Sequence, residues 1–275
     1  MNRKASRFLA YPYIIWMAGF TVIPLLMVFY YGLTDRSGAF TLANILAIGS
    51  SEHLKALWLS LLLAGVSTVI CLILAYPLAL ILRKRHIGKG SFVVFIFILP
   101  MWMNFLLRTY AWMTILEDNG IINNLLAFFG LPAAKLINTS GAVILGMVYN
   151  YLPFMILPLF SIMTKIDRHV IEAAQDLGCS MPVVIRKVVV PLSFPGIATG
   201  ITMTFVPCVS TFIISRLLGG SDCYLIGDLI EEQFKLKGTG FHVGSATSLV
   251  LMIVVLISMG ILNQFDSDEM EDSIK

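Results

Sequence analysis

Charge is scarce in this sequence. Of its 275 residues, 13% are Asp, Glu, Lys or Arg, whereas 58% are hydrophobic. A typical soluble domain carries about 25% charged residues, and a water-soluble fold of this size could not hide so much apolar surface. We therefore infer that the chain is dissolved in a lipid bilayer. The net charge of +3 is too small to favour a nucleic-acid partner.

Motifs for covalent or metal chemistry are also missing. The four cysteines form no CxxC pair, which indicates free thiols without a disulfide framework or metal site; they are Cys71, Cys179, Cys208 and Cys223. The chain has no GxxxxGK[ST], H-E-x-x-H or GxSxG motif. His169 and Glu172 lack a third ligand and indicate a solvated helix face. The sequence thus predicts no catalytic residue, no metal site and no cofactor bound by this chain, which we expect not to be an enzyme.

Long apolar runs predict an all-α, polytopic membrane protein with a single transmembrane domain over residues 1–275. A spanning helix needs roughly 20 mostly apolar residues, and six runs meet that length. The predicted spans are about 9–33, 57–82, 92–114, 141–163, 194–218 and 244–262. We interpret the first as an uncleaved span because it is too long for a signal-peptide core. Pro153, Pro158 and Pro207 mark possible bends, and short amphipathic helices are predicted in "EDNGIINNLLAFFGLP" and over about Ile226–Phe234.

The distribution of basic residues predicts the orientation. Lys and Arg cluster before the first span, in "RKRHIGKG" after the second, and after the fourth; the alternate loops are poorer in them. Cytoplasmic loops of membrane proteins carry this excess. We therefore expect both termini and the loop over about 165–191 to be cytoplasmic.

That last loop contains the polar stretch "EAAQDLGCSMPVVIRKVVVP". Apolar side chains fall on one helical face, namely those of Ile166, Val170, Ala173, Ala174 and Leu177. Gly178 is suited to end this helix in the left-handed conformation. Ser180 is suited to cap a second helix, which tolerates Pro182 in its first turn and which Pro191 is expected to close. Two short helices at an angle are predicted, either as a plain connector between spans or as a docking element for a cytoplasmic partner.

The spacing resembles the EAA loop of ABC importer permeases: Glu-Ala-Ala, three residues, Gly, nine residues, then Ile-x-Leu-Pro. The matching residues are Glu172, Ala173, Ala174, Gly178 and Pro191, with Val188 and Val190 in place of Ile and Leu. This resemblance implies that the loop docks into a cleft of a separate ATP-hydrolysing subunit. It implies that Glu172 contributes charge and Gly178 the turn. It also implies that two copies of that ATPase bind ATP and Mg.

A longer resemblance covers nearly the whole chain. The segments "ILPMWMNFLLRTYAWMTIL", "LLGGSDCYLIGDLIEEQF" and "VGSATSLVLMIVV" are similar to permeases of spermidine/putrescine importers. This implies the type I ABC importer permease fold in a bacterial cell (inner) membrane. It also implies a second, related permease subunit and an extracytoplasmic polyamine-binding protein. Transport would proceed by alternating access, driven by the separate ATPase.

A polyamine carries several ammonium groups, so its route would need aromatic faces and carboxylates. The candidate residues are Trp102, Asn104, Arg108, Tyr110, Glu117 and Asp228. Tyr110 lies eight residues beyond Trp102, so the two are expected on similar helix faces. Arg108 is expected to pair with a carboxylate or with helix-end carbonyls and to shape the gate. The alternative is that the aromatic residues form an interfacial belt and the acidic residues are merely solvated.

Two other functions remain open on sequence alone. An ABC permease for sulfate, molybdate or iron would share the loop but have basic or backbone-donor linings. A stand-alone secondary transporter or channel would need intramembrane ionisable relays, for which Arg108 is the candidate. A membrane-anchored helix-turn-helix regulator is disfavoured because the cytoplasmic segment is short and not basic enough.

Overall fold

The computed structural model describes residues 11–84, 96–97, 99–236, 238 and 240–272, and over these ranges the chain is helical with no strand. The fold class is therefore all-α, as predicted. The helices are α1 (Tyr11–Gly32), α2 (Ala43–Ala47), α3 (Ser51–Lys84), α4 (Phe105–Leu116), α5 (Ile121–Phe128), α6 (Ser140–Lys165), α7 (Arg168–Asp176), α8 (Met181–Ser210), α9 (Ile226–Lys235) and α10 (Gly240–Asp272).

Five described helices are long and apolar enough to cross a membrane, namely α1, α3, α6, α8 and α10. They correspond to the first, second, fourth, fifth and sixth predicted spans. The two amphipathic helices predicted outside the spans are confirmed as α5 and α9.

The third predicted span, 92–114, is not a continuous helix over its described part; residues 92–95 and 98 lie outside the described ranges. A single 3-10 turn covers Leu99–Trp102, and α4 begins only at Phe105. Asn104 starts α4, because its Oδ1 accepts hydrogen bonds from the amides of Leu106 at 2.9 Å and Leu107 at 3.4 Å. The expectation that Trp102 and Tyr110 share a helix face was therefore wrong, since Trp102 precedes the helix.

The chain divides into two compact units at residues 55/56, 228/229 and 255/256, and the single-domain assignment stays a prediction. In the first unit, Gly32 of α1 lies against Ala246 of α10, and the aromatic rings of Tyr31 and Phe241 meet edge to face with centroids 4.9 Å apart. The larger unit contains the functional candidates.

The core of the larger unit is built by α3, α6 and α8. Cys71, Ala75 and Ala79 of α3 pack on buried residues of α6, and Ile197 and Ile201 of α8 cover the same cluster. A methyl group on Gly196 would come within 3.0 Å of Ile162, and one on Gly200 within 2.7 Å of the Met155 sulfur. Small residues at such contacts let helices approach closely, which is how helices associate in a membrane.

Two π-helical turns precede prolines inside long helices. The turn Ala18–Val22 comes two residues before Pro24, and the turn Ile185–Val189 two residues before Pro191. Because proline has no amide hydrogen and its ring clashes with the carbonyl four residues earlier, a locally widened turn accommodates it. Pro191 therefore does not close the second short helix, as the sequence suggested; the helix continues through it to Ser210.

The fifth predicted span, 194–218, is interrupted near its end. α8 stops at Ser210, Thr211 is extended, and helical turns resume up to Gly219. A methyl group on Gly227 at the start of α9 would come within 2.5 Å of the Thr211 carbonyl oxygen. Glycine at position 227 therefore allows α9 to approach the break, and such breaks are tolerated at membrane depth where protein surrounds them.

Candidate functional site

The polar segment between α6 and α8 is a helical elbow, which we define as residues 166–184. Asp167 caps α7 by accepting a hydrogen bond from the His169 amide at 3.0 Å. At the other end, the Gly178 amide bonds the Gln175 carbonyl at 2.8 Å, and the Cys179 amide bonds the Ala174 carbonyl at 3.1 Å. This is the pattern of a Schellman motif.

Gly178 makes the sharp turn of the elbow possible. Its φ is +84°, a left-handed conformation that side chains disfavour. A methyl group added there would meet no atom of the described residues within 4 Å. Glycine is thus required by the backbone conformation and not by packing within the permease. Ser180 occupies the N-cap position of α8 without a side-chain capping bond.

The inner side of the elbow is fixed to the bundle. Ile171, Val184 and Val189 form a buried cluster to which Leu80 of α3 and Ala174 contribute. The Arg83 guanidinium of α3 donates a 2.9 Å hydrogen bond to the Ile166 carbonyl at the end of α6. The elbow is therefore a firmly attached extension of the helical bundle, able to pass displacement to it.

The outer side of the elbow is apolar and exposed. Leu177 has 86% of its surface accessible, and Val170, Met181 and Val183 are more than a third exposed. The expected single apolar face is therefore divided. Ile166 and Ala174 point inward with Ile171, which sequence reasoning missed, whereas Val170, Ala173 and Leu177 face outward. We call these outward residues, with Met181 and Val183, the apolar face of the elbow.

Glu172 lies beside the apolar face and is 43% exposed. Its Oε1 is 2.6 Å from Arg168 Nε, and its Oε2 is 3.5 Å from His169 Nδ1. Exposed pairs of this kind contribute at most about 1 kcal/mol to stability. Their consequence here is geometric, because they hold the carboxylate in place while leaving it accessible to another surface.

The candidate route residues do not form one cluster in this chain. Trp102 (75% accessible), Asn104, Tyr110 and Glu117 are exposed, whereas Arg108 and Asp228 are buried. Asn104 acts as the cap of α4, and Asp228 Oδ2 accepts a hydrogen bond from the Leu225 amide at 3.0 Å at the start of α9. Both side chains therefore have structural partners that sequence reasoning did not anticipate.

Arg108 lies inside the larger unit, 7% exposed, with its guanidinium 5.9 Å above the Phe105 ring. It lies near Tyr151 of α6, which in turn neighbours the Thr211 side chain just after the end of α8. The Nε and Nη1 atoms of Arg108 are buried without a hydrogen-bond partner among the described residues. Neither predicted partner, a carboxylate or a helix-end carbonyl, is bonded to those two atoms among the described residues. Tyr151 and Thr211 are neighbours that no sequence motif signalled.

The described residues contain no group of three or more His, Cys, Asp or Glu side chains positioned to hold a metal ion. All four cysteines are free thiols, and three of them are buried. The exposed elbow is thus the feature of the larger unit with the clearest capacity to bind another molecule.

Comparison with known proteins shows which family has this sequence and architecture. The family described as "Binding-protein-dependent transport system inner membrane component" matches residues 1–265. The chain is 33% identical to the spermidine/putrescine transport system permease protein PotB of Haemophilus influenzae, over 94% of this chain and 92% of the relative. It is 35% identical to PotB of Escherichia coli strain K12, over 87% and 90%.

A solved structure has the same fold. A bacterial ABC transporter involved in the import of the acidic polysaccharide alginate superposes with a TM-score of 0.81 and 19% sequence identity. The match covers 96% of this chain and 95% of the other. At that identity the likeness bears on the fold alone, which is that of an ABC importer permease.

Proposed function

Since the chain belongs to the family of binding-protein-dependent transport system inner membrane components, and is thus a multi-pass inner-membrane subunit and not itself an enzyme, we propose that it is the polyamine permease of an ATP-driven importer. The cargo would be spermidine or putrescine, moved into the cytoplasm by alternating access. The observation that carries the energy-coupling part is the exposed apolar face of the elbow. The substrate assignment follows the two PotB relatives.

The apolar face of the elbow supports docking of a cytoplasmic ATPase. An exposed group of large apolar side chains on a rigid support indicates an interaction site. Burial of a side chain the size of Leu177 contributes about 1.5–3 kcal/mol. The accessible Glu172 carboxylate beside it would add a directional charge contact. Ala173 and Gly178 are small enough to let a partner approach the backbone of the elbow closely.

The coupling route follows from how the elbow is attached. Ile171 and Val184 are packed against Leu80 of α3, and α8 continues from the elbow into a spanning helix without a break until Ser210. A push on the elbow is therefore applied to α3, α6 and α8 together. In the proposed assembly, two copies of the ATPase bind ATP and Mg. This chain and a second homologous permease receive the force, an extracytoplasmic protein delivers the polyamine, and both termini are cytoplasmic.

Docking is tested with Glu172→Lys in the complete transporter, measuring ATPase binding and polyamine uptake together. Charge reversal at the apolar face should abolish both while membrane insertion stays normal. Asp176→Lys is the matched control, since Asp176 is an exposed acid on the same helix outside the contact proposed for Glu172. Normal uptake by the Glu172→Lys transporter would overturn the docking role.

The substrate is tested separately with the wild-type complex. Spermidine- or putrescine-loaded binding protein should stimulate its ATP hydrolysis, and excess spermidine should compete with labelled polyamine for uptake. An ABC permease for an anion is the second candidate, favoured by the buried guanidinium of Arg108. Stimulation by sulfate-loaded binding protein, with no response to polyamine-loaded protein, would decide for that candidate and leave the docking result intact.

A further inference from the structure

Helix α5 presents an apolar stripe that none of the described residues covers. Ile121, Leu125 and Phe128 follow at helical spacing, and Phe129 and Leu131 extend the stripe past the end of the helix. Each has more than half of its surface accessible, and Phe128 reaches 83%. An eight-residue helix would not keep such residues in water without a partner surface.

Hydrogen bonds on the opposite face of α5 and at its end hold the stripe in its outward orientation. The buried Asn123 donates through Nδ2 to the carbonyls of Glu117 at 3.3 Å and Ala134 at 3.0 Å, and its Oδ1 accepts from the Ala134 amide at 2.8 Å. At the end of the helix, Gly130 has φ +72°, and the Leu131 amide bonds the Leu126 carbonyl at 2.9 Å. These bonds keep α5 from rotating its stripe towards the bundle.

The stretch that contains α5 lies at one membrane surface. It joins the end of α4 at Leu116 to the start of α6 at Ser140, and the elbow lies at the other end of α6. With 26 residues, α6 is about 39 Å long, which is enough to cross the bilayer. The stripe and the elbow are therefore at opposite surfaces of the membrane.

The composition of this stretch favours lipid as the occupant. Residues 119–134 contain no charged side chain, and two of the five stripe residues are phenylalanines. The neighbouring helix α4 also exposes apolar side chains in its first turn, those of Leu106 and Leu107, so accessible apolar surface is found on both helices. A helix with an apolar face of this kind lies in the plane of the interface with that face at the acyl boundary. Because α5 is tethered by a helix at each end, it needs no basic residues to stay there.

We propose that α5 is an interfacial anchor whose stripe enters the acyl-chain boundary of the leaflet opposite the elbow. The anchor fixes the outer ends of α4 and α6 at a constant depth while the elbow is displaced at the other surface. This inference goes beyond the proposed function and does not depend on the identity of the substrate.

The test measures the depth of spin labels in the full-length transporter in phosphatidylcholine nanodiscs. Single cysteines are introduced at Leu125 and Phe128 in a background in which the four native cysteines are replaced and uptake is retained. Asp118→Cys is the matched control, since Asp118 is an exposed, charged residue in the turn just before α5 and lies outside the ATPase-docking elbow. Collision rates with oxygen and with a water-soluble nickel chelate are compared.

Labels at 125 and 128 should collide with oxygen several-fold more, and with the nickel chelate several-fold less, than the label at 118. This pattern should be the same with and without the binding protein. A label at 128 that matches the control would mean that the stripe faces water and would overturn the anchor. If both reagents are excluded from the label, a protein surface covers the stripe, and the anchor proposal is overturned too. If both are excluded only after the binding protein is added, the binding protein is the surface that covers the stripe, and the proposal is likewise overturned. None of these outcomes alters polyamine uptake, so they are distinguishable from failure of the proposed function.

Discussion

Replacing Gly178 with alanine tests the elbow most directly, because it changes the turn without creating a contact inside the permease. An alanine held at the observed φ of +84° costs about 1–2 kcal/mol. In the part of the chain that the structure describes, no atom lies within 4 Å of the added methyl group, so the larger unit should still fold and insert. The population of the docking-competent turn should fall by roughly 5- to 30-fold.

Titration of the purified ATPase onto the permease in nanodiscs measures this effect. We expect the affinity of Gly178→Ala to fall by about the same factor, and uptake to fall with it. Gly178→Asn should lose less, since asparagine tolerates the left-handed region better than alanine does. A still larger loss for Gly178→Ala would show that the ATPase approaches the elbow closely enough for the methyl group to clash.

Gly130→Ala is the matched control for backbone strain. Gly130 also has a positive φ, +72°, and an added methyl group there would also meet no described atom within 4 Å, but Gly130 ends α5 at the opposite membrane surface. Its ATPase affinity should equal that of the wild type. Wild-type affinity in Gly178→Ala as well would refute the reasoning, because the conformation of the turn would then be irrelevant to docking.

Three further predictions concern residues outside the elbow. Trp102→Ala should lower polyamine uptake several-fold. Trp58→Ala, which removes a comparably exposed tryptophan from α3, should leave uptake unchanged. Equal effects of the two substitutions would mean that Trp102 is an ordinary interfacial residue. Asn104→Ala should cost about 1 kcal/mol at the start of α4 and speed hydrogen exchange of the first-turn amides about fivefold, with unchanged exchange contradicting the cap. The Ser37 hydroxyl first, and then the Ala39 amide, hold the pKa of Asp35 below its usual value. These bonds should protect the loop around Asp35 from proteolysis fully above about pH 4, and the protection should be lost as the pH falls through the lowered pKa. In Ser37→Ala the protection should be lost at a higher pH, which proteolysis of this loop measured against pH would show.

The elbow shows how far local sequence signals reach. Gly178 was expected in a left-handed turn that ends a short helix containing Val170, Ala173 and Leu177, and both features depend on backbone preferences within a few residues. The side of the helix that packs inward was not predictable in this way. Val170 and Ile171 are both β-branched and apolar, and the position of Leu80 on another helix decides that Ile171 is buried.

The prediction of a continuous third span was wrong for a related reason. Its apolar length outweighed the signals of Pro100 and Asn104, although a proline followed by a capping residue is a recognisable helix start. The role of Asp228 was missed because a carboxylate that caps a short buried helix has the same sequence appearance as one in a solvated loop. The bonding partners distinguish the two cases.

The sequence alone determined that the protein resides in a membrane, how many apolar runs it has, where the two amphipathic helices outside the spans lie, and how the motif residues of the elbow are spaced. These properties depend on composition and on preferences between residues close in the chain. The tertiary structure decided which apolar residues of the elbow and of α5 remain exposed, where the spans break, and that Arg108 lies buried near Tyr151. Those properties depend on contacts between helices far apart in sequence, and the free energy of such contacts is not encoded in any single segment.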